Sequence, residues 1–95
     1  MHATVRQYEG VDKPAELLKE AKATFLPLMK EIPGFIDYYF VDVGEAGGRM
    51  VSISVFETEA ATEESNKRAA EWVRNHPGLI PTAKSVEAGK VVMGD

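Results

Sequence analysis

Three side chains in the second half of this sequence could do chemistry together: Ser65, Trp72 and His76. On a helix, residues four apart project about 40° from one another, and residues seven apart about 20°. Trp72 and His76 therefore share a face, and Ser65 shares it with Trp72. An indole platform, an imidazole and a hydroxyl on one wall suit a flat aromatic ligand. His76 would be the catalytic general base, working near neutral pH. Trp72 and Ser65 would bind the substrate. Each residue also has a plainer reading. Trp72 packs a core, and Ser65 lets the helix approach its support. His76, beside Pro77 and Gly78, ends the helix where a positive charge is favoured.

Tyr38 and Tyr39 are further candidates for substrate binding, and Tyr8 could join them. Adjacent residues of a strand point to opposite faces, so one of Tyr38 and Tyr39 looks toward the helices and the other away. The residues do not say which. Asp37 and Asp42 are carboxylates in an otherwise apolar strand, and exposure at a strand end accounts for them, Asp42 above all. Gly44, Gly47 and Gly48 match no nucleotide-binding pattern, because they join two strands rather than a strand and a helix. Two distant histidines, His2 and His76, and scattered acids have no metal-ligand spacing. We expect no metal and no cofactor.

Composition narrows the classes further. The 95 residues make a single domain, residues 1–95. A chain of that length buries roughly 60–65% of its unfolded surface, so burying a second apolar face by oligomerisation would help it. The net charge is -4 and there is no basic stripe, which argues against a nucleic-acid partner. With no cysteine, disulfides, thiolate catalysis and zinc–cysteine sites are excluded. No apolar run reaches signal-peptide or membrane-span length. We expect a soluble protein of the cytoplasm with no membrane partner.

These residues are positioned by six elements. Residues 2–9 read as a strand, and Asp12 is a candidate N-cap for a helix over 14–32 with Pro14 in its first turn. Leu18, Ala21, Phe25, Leu28 and Ile32 form its apolar stripe, widened by Leu17 and Met29. Pro27 predicts a kink or a break. Pro33 and Gly34 stop the helix. Residues 35–43 are an aromatic strand with Phe35, Asp37, Tyr39, Val41 and Val43 on one face and Ile36, Tyr38, Phe40 and Asp42 on the other. A glycine-rich turn at 44–48 leads to a strand over 49–57, antiparallel to it. Thr58 caps a second helix over 59–76, with Ala61, Ser65, Ala69, Trp72 and His76 on its buried stripe. Residues 86–93 are the last strand, with Gly89 a candidate bulge.

The order is β-α-β-β-α-β. Such a chain folds as a ferredoxin-like α+β domain, a four-stranded antiparallel sheet with two helices on one face. Apolar residues on both faces of the second strand require both to be covered. A second copy of the chain, sheet facing sheet, is the economical cover, and predicts a homodimer.

Several segments in this order resemble the dimeric α/β-barrel proteins related to antibiotic-biosynthesis monooxygenases. They are Ile32-Pro33-Gly34-Phe35, Ile36-Asp37-Tyr38-Tyr39 and Ser52-Ile53-Ser54-Val55-Phe56. Ala60-Ala61 with Ser65, Ala69-Ala70-Glu71-Trp72-Val73, and Gly89-Lys90-Val91 complete the set. The resemblance covers nearly the whole chain. It implies a homodimeric barrel with a small-molecule pocket between sheet and helices. That family is mixed, holding cofactor-independent monooxygenases of aromatic substrates, haem-degrading enzymes and members without known activity. Its aromatic monooxygenases place an asparagine and a tryptophan close together. Here Asn66 and Trp72 lie about 120° apart on the helix. Its haem-degrading branch carries a helix histidine, as His76 would be, and a first-strand asparagine, for which Gln7 is the nearest residue. The resemblance thus implies a small-molecule-binding protein, with cofactor-independent oxygenation of an electron-rich substrate as its sharpest form. A non-enzymatic dimeric module is the alternative, and haem binding or degradation a further one. A roomy pocket lined by Trp72, Ser65 and a tyrosine would favour the oxygenase. A pocket filled by Phe25, Leu28 and Met29 would favour the module.

Overall fold

A computed structural model describes residues 1–44 and 48–94. Its elements are β1 (His2–Tyr8), α1 (Pro14–Glu20), a π turn (Ala21–Phe25), α2 (Leu26–Lys30), β2 (Phe35–Asp42), β3 (Met50–Phe56), α3 (Glu59–Arg74) and β4 (Ser85–Lys90). The four strands form one antiparallel sheet in the order β2-β3-β1-β4. α3 lies over β1 and β3, and α2 lies over β2 and beside α3. The expected ferredoxin-like α+β architecture is the observed one. Of the turn expected at 44–48, residues 45–47 lie outside the described residues.

The first helical stretch departs from a single helix, and Pro27 is the physical reason. A proline inside an α-helix lacks a donor and strikes the carbonyl four residues back. Here the ladder switches register first: the Leu26 N–H donates to the Ala21 carbonyl, five residues back. The helix restarts at Leu26, so Pro27 falls in a new first turn, where a missing N–H is harmless. The buried stripe also rotates by one residue. Leu17 is fully buried with Ala21, Phe25, Met29 and Ile32, whereas Leu18 is 37% exposed and Leu28 only half-buried. The N-cap is Lys13 without a side-chain cap, not Asp12.

α3 follows its sequence more closely. The Thr58 hydroxyl accepts from the Ala61 N–H at 3.1 Å. Ala61, Thr62, Ser65, Ala69 and Trp72 are buried, and the helix ends at Arg74, two residues before the expected end. Arg68 ties it to α2, donating to Glu64 at 2.8 Å and to the Leu28 carbonyl at 2.9 Å.

A bulge sets which residues of β2 face the helices. Phe35 pairs with Phe56 and Asp37 with Val55, so Ile36 is the extra residue. The phase shift puts Phe35 on the same side as Tyr38 and Phe40, against the strict alternation expected. The expected bulge at Gly89 does not occur, because β4 pairs with β1 without a register shift. Gly48, where the chain enters β3, has φ +64°, and a Cβ there would stand 2.1 Å from the Val11 carbonyl oxygen. Only glycine lets the β2–β3 connection close against the loop before α1.

Candidate functional site

The helix-facing side of the sheet carries Thr4, Arg6 and Tyr8 of β1 and Met50, Ser52, Ser54 and Phe56 of β3, all buried. Cross-strand pairing sets Thr4 opposite Ser54 and Arg6 opposite Ser52. Small polar residues at the sheet centre let α3 come close through Ala61, Ser65 and Ala69. The Ser65 hydroxyl donates to the Thr62 carbonyl at 2.7 Å. The hydroxyls of Thr4 and Ser54 have no partner among the described residues.

Aromatic rings fill the space between this floor and the helices. Phe25 stands 5.3 Å from Tyr38 and 5.3 Å from Trp72, and Tyr38 packs 6.4 Å from Phe40. The residual cavity among Tyr8, Phe25, Tyr38, Phe40 and Trp72 is only about 10 Å³. Phe25 stands against both Tyr38 and Trp72, and Ser65 is not part of the lining. Burial holds the Tyr38 phenol well above its ordinary range, with Tyr8 beside it adding to the effect. The Tyr8 phenol is likewise pushed up by burial, against the pull of Arg6. Ser52 pulls weakly in the opposite direction on both phenols.

The structure joins Trp72 and His76 as the helical spacing implied. Their rings stack at 4.0 Å, 25° from parallel. His76 Nδ1 is 2.7 Å from the Trp72 carbonyl oxygen and Nε2 is 3.3 Å from Glu20 Oε2. The indole N–H of Trp72 donates to Thr24 Oγ1 at 2.9 Å. That hydroxyl lies 3.0 Å from the Glu20 carbonyl oxygen and 3.1 Å from its Oε2. The loop of contacts bolts α3 to the first helical stretch. The sequence reading missed Glu20 and Thr24 as its members. Their spacing of four was the available signal, but it pointed nowhere without α3.

Tyr38 and Tyr39 part company. Tyr38 faces the helices, whereas Tyr39 is 55% exposed on the open side of the sheet. Val41 is exposed there too, and Val51, Ile53 and Val55 of β3 are half-buried. Asp37 and Asp42 are both exposed, so neither is a buried carboxylate. Gln7 is exposed on β1, between the helix-facing Arg6 and Tyr8. Gln7 therefore lies on the opposite face of β1 from the one turned toward α3.

Outside the filled centre, a groove of about 530 Å³ runs between the first helical stretch and the β2 edge. Leu18, Ala21, Leu26, Tyr38 and Phe40 line it, with Lys19 and Lys22 beside them. Leu18 is therefore exposed because it walls a groove and not the core. A second pocket, of about 290 Å³, opens between α3 and β4 over Arg6. Arg6 is buried to 5% exposure, and its Nη2 donates to Asn66 Oδ1 at 2.5 Å. Burial lowers its pKa from the ordinary guanidinium value. The sequence reading gave Arg6 no role.

No family model and no curated protein matches the sequence. Solved structures do. A variant of SnoaB, a cofactor-independent oxygenase from Streptomyces nogalater, superposes with a TM-score of 0.76 at 15% identity, over 98% of this chain and 94% of that one. A candidate antibiotic biosynthesis monooxygenase from Nitrosomonas europaea gives 0.73 at 13% identity, over 98% and 100%. A variant of MhuD holding two manganese protoporphyrin IX molecules per active site gives 0.68 at 17% identity, over 100% and 98%. The chain has the ferredoxin-like fold of the antibiotic-biosynthesis-monooxygenase type. At these identities the likeness is one of fold. No described helix is long and apolar enough to cross a membrane.

Proposed function

We propose that the protein is a homodimer that binds small, largely apolar molecules in the groove between its first helical stretch and β2. The groove itself is the observation that carries this reading. Its volume lies within the range of ligand sites, its walls are apolar, and two lysines stand beside it. Lys19 and Lys22 favour a ligand with a negative group at one end. A non-enzymatic binding module fits this geometry better than an oxygenase, because the space among Phe25, Tyr38 and Trp72 is filled.

The dimer follows from the open side of the sheet. Tyr39, Val41, Val51, Ile53 and Val55 form an apolar face that no described element covers. A second copy presenting the same face would cover it. The absence of cysteine suits a reducing compartment, and we place the protein in the cytoplasm. Sedimentation at micromolar concentration should show a dimer that Ile53→Asp dissociates. Monomer throughout would overturn this part of the reading.

The groove is tested with 8-anilinonaphthalene-1-sulfonate, a flat apolar anion. We expect saturable binding, read by energy transfer from Trp72, the sole tryptophan. Leu18→Glu should weaken it about tenfold, since a carboxylate would sit on the apolar wall beside the sulfonate. No saturable binding, or full binding by Leu18→Glu, would overturn the reading.

One observation favours the second reading, cofactor-independent oxygenation of an electron-rich aromatic. The Glu20 carboxylate stands behind the His76 imidazole, as a group orienting a base would. Both ring nitrogens are engaged, however, so the His76 ring must turn away from the Trp72 carbonyl or from Glu20 before it can reach a substrate. Oxygen uptake with a dihydroxynaphthalene, lost in His76→Ala, would establish that reading. No uptake would leave the binding module.

A further inference from the structure

We propose that the pocket over Arg6 is a binding site for a small carboxylate carried on a short apolar body, separate from the groove between the first helical stretch and β2. The observation is a buried cation without an anion. Arg6 projects from the centre of the sheet into the space beneath α3, and it is almost wholly buried. Its one hydrogen-bond partner among the described residues is Asn66, a neutral amide. No described carboxylate pairs with it, and none lines the pocket. The two phenols that contribute to its electrostatic surroundings, Tyr8 and Tyr38, are both held above their ordinary range and are neutral at neutral pH. Among the described residues nothing balances the charge.

A buried guanidinium without a counter-charge is destabilising, and a matched anion offsets part of that cost. The guanidinium is a planar fork of donors, suited to the two oxygens of a carboxylate. Asn66 holds Nη2 and so fixes the plane of the fork, leaving its other donors to a ligand. The rest of the pocket sets the ligand's body. Ala69, Val73, Ala83 and Val86 make apolar walls, and Arg74 lines it as a second cation. A volume of about 290 Å³ is at the small end of ligand sites, so the body is short. Val86, half-exposed on the β4 edge, belongs to the way in.

Octanoate and 1-octanol, which share a chain and differ in charge, test the proposal by amide shifts in the nitrogen-15 spectrum of the intact protein. We expect octanoate to shift the amides of Asn66, Val73 and Val86 saturably, and 1-octanol to bind about tenfold more weakly. Arg6→Met keeps the apolar stem and removes the charge; it should lose the preference for octanoate. Val86→Trp fills the pocket from its exposed edge without touching Arg6, so it should lose octanoate even if Arg6→Met does not fold. Equal affinity for the two probes would overturn the site, as would octanoate binding undiminished in Val86→Trp. Shifts confined to Leu18 and Lys22 would support the groove and overturn the Arg6 site. Shifts at Asn66 and Val86 without shifts at Leu18 and Lys22 would support the Arg6 site.

Discussion

Trp72 and His76 are joined twice, by a ring stack at 4.0 Å and by His76 Nδ1 lying 2.7 Å from the Trp72 carbonyl oxygen. The same pair is anchored to the first helical stretch at both ends, Trp72 through Thr24 and His76 through Glu20. In the fold these contacts clasp α3 to the first helical stretch. Both ring nitrogens of His76 face oxygens, the Trp72 carbonyl on one side and the Glu20 carboxylate on the other.

The clasp predicts a cost for losing Thr24. Thr24→Val keeps the shape but leaves the buried indole N–H of Trp72 without its acceptor. The variant should lose about 1–2 kcal/mol of unfolding free energy in urea and show altered Trp72 emission. Thr24→Ser should restore both. An unchanged midpoint would show that the bond contributes nothing net.

Thr4 and Ser54 predict the opposite sign. They are paired residues of β1 and β3, and their buried hydroxyls lack partners among the described residues. Replacing a hydroxyl by a methyl of similar shape removes an unmet desolvation cost. Thr4→Val should therefore raise the melting temperature, by an amount equivalent to about 1 kcal/mol. Calorimetry of Thr4→Val and Ser54→Ala checks it, and a fall in both would show that the hydroxyls are engaged.

Gly48 predicts a large loss. In Gly48→Ala the new methyl would meet the Val11 backbone, which cannot yield as a side-chain end can. The residue would also be held at positive φ. Together these should cost about 2 kcal/mol or more. Gly44→Ala shares the positive φ but meets nothing within 4 Å, so it should cost less. Denaturant midpoints of the two variants, compared side by side, read the difference.

The buried phenols predict loss of stability in alkali. A free tyrosine phenol titrates at 10.0, and that of Tyr38 titrates higher in the fold, because burial disfavours the phenolate. Between those values the unfolded chain has released a proton that the folded chain still holds. Stability from this group is complete below about pH 10 and falls as pH rises beyond it. Melting temperatures from pH 8 to 11 should decline less steeply in Tyr38→Phe than in the parent. Parallel curves would show that Tyr38 titrates alike in both states.

Much of this protein is legible in its residues alone. The order of six elements, the Thr58 cap, the stop at Pro33-Gly34 and the disturbance at Pro27 follow from local chemistry, because each depends on neighbours a few positions away. So does the shared face of Trp72 and His76. Local pattern could not decide which side of each strand faces the helices. A period of two says which residues share a face, but it cannot choose the inner face when both are apolar. Tyr38 and Tyr39 were separated only by packing, and Phe35 changed sides through the bulge at Ile36. The one-residue rotation from Leu18 to Leu17 was settled where the π turn reset the helix against the sheet. Arg6 shows the point most sharply. In β1 it stands beside Val5, and hydropathy alone would turn the valine inward. The tertiary structure instead turns Arg6 under α3, where Asn66, 60 positions away, meets it. Only the folded chain creates that buried charge, and with it the strongest indication of a ligand in this molecule.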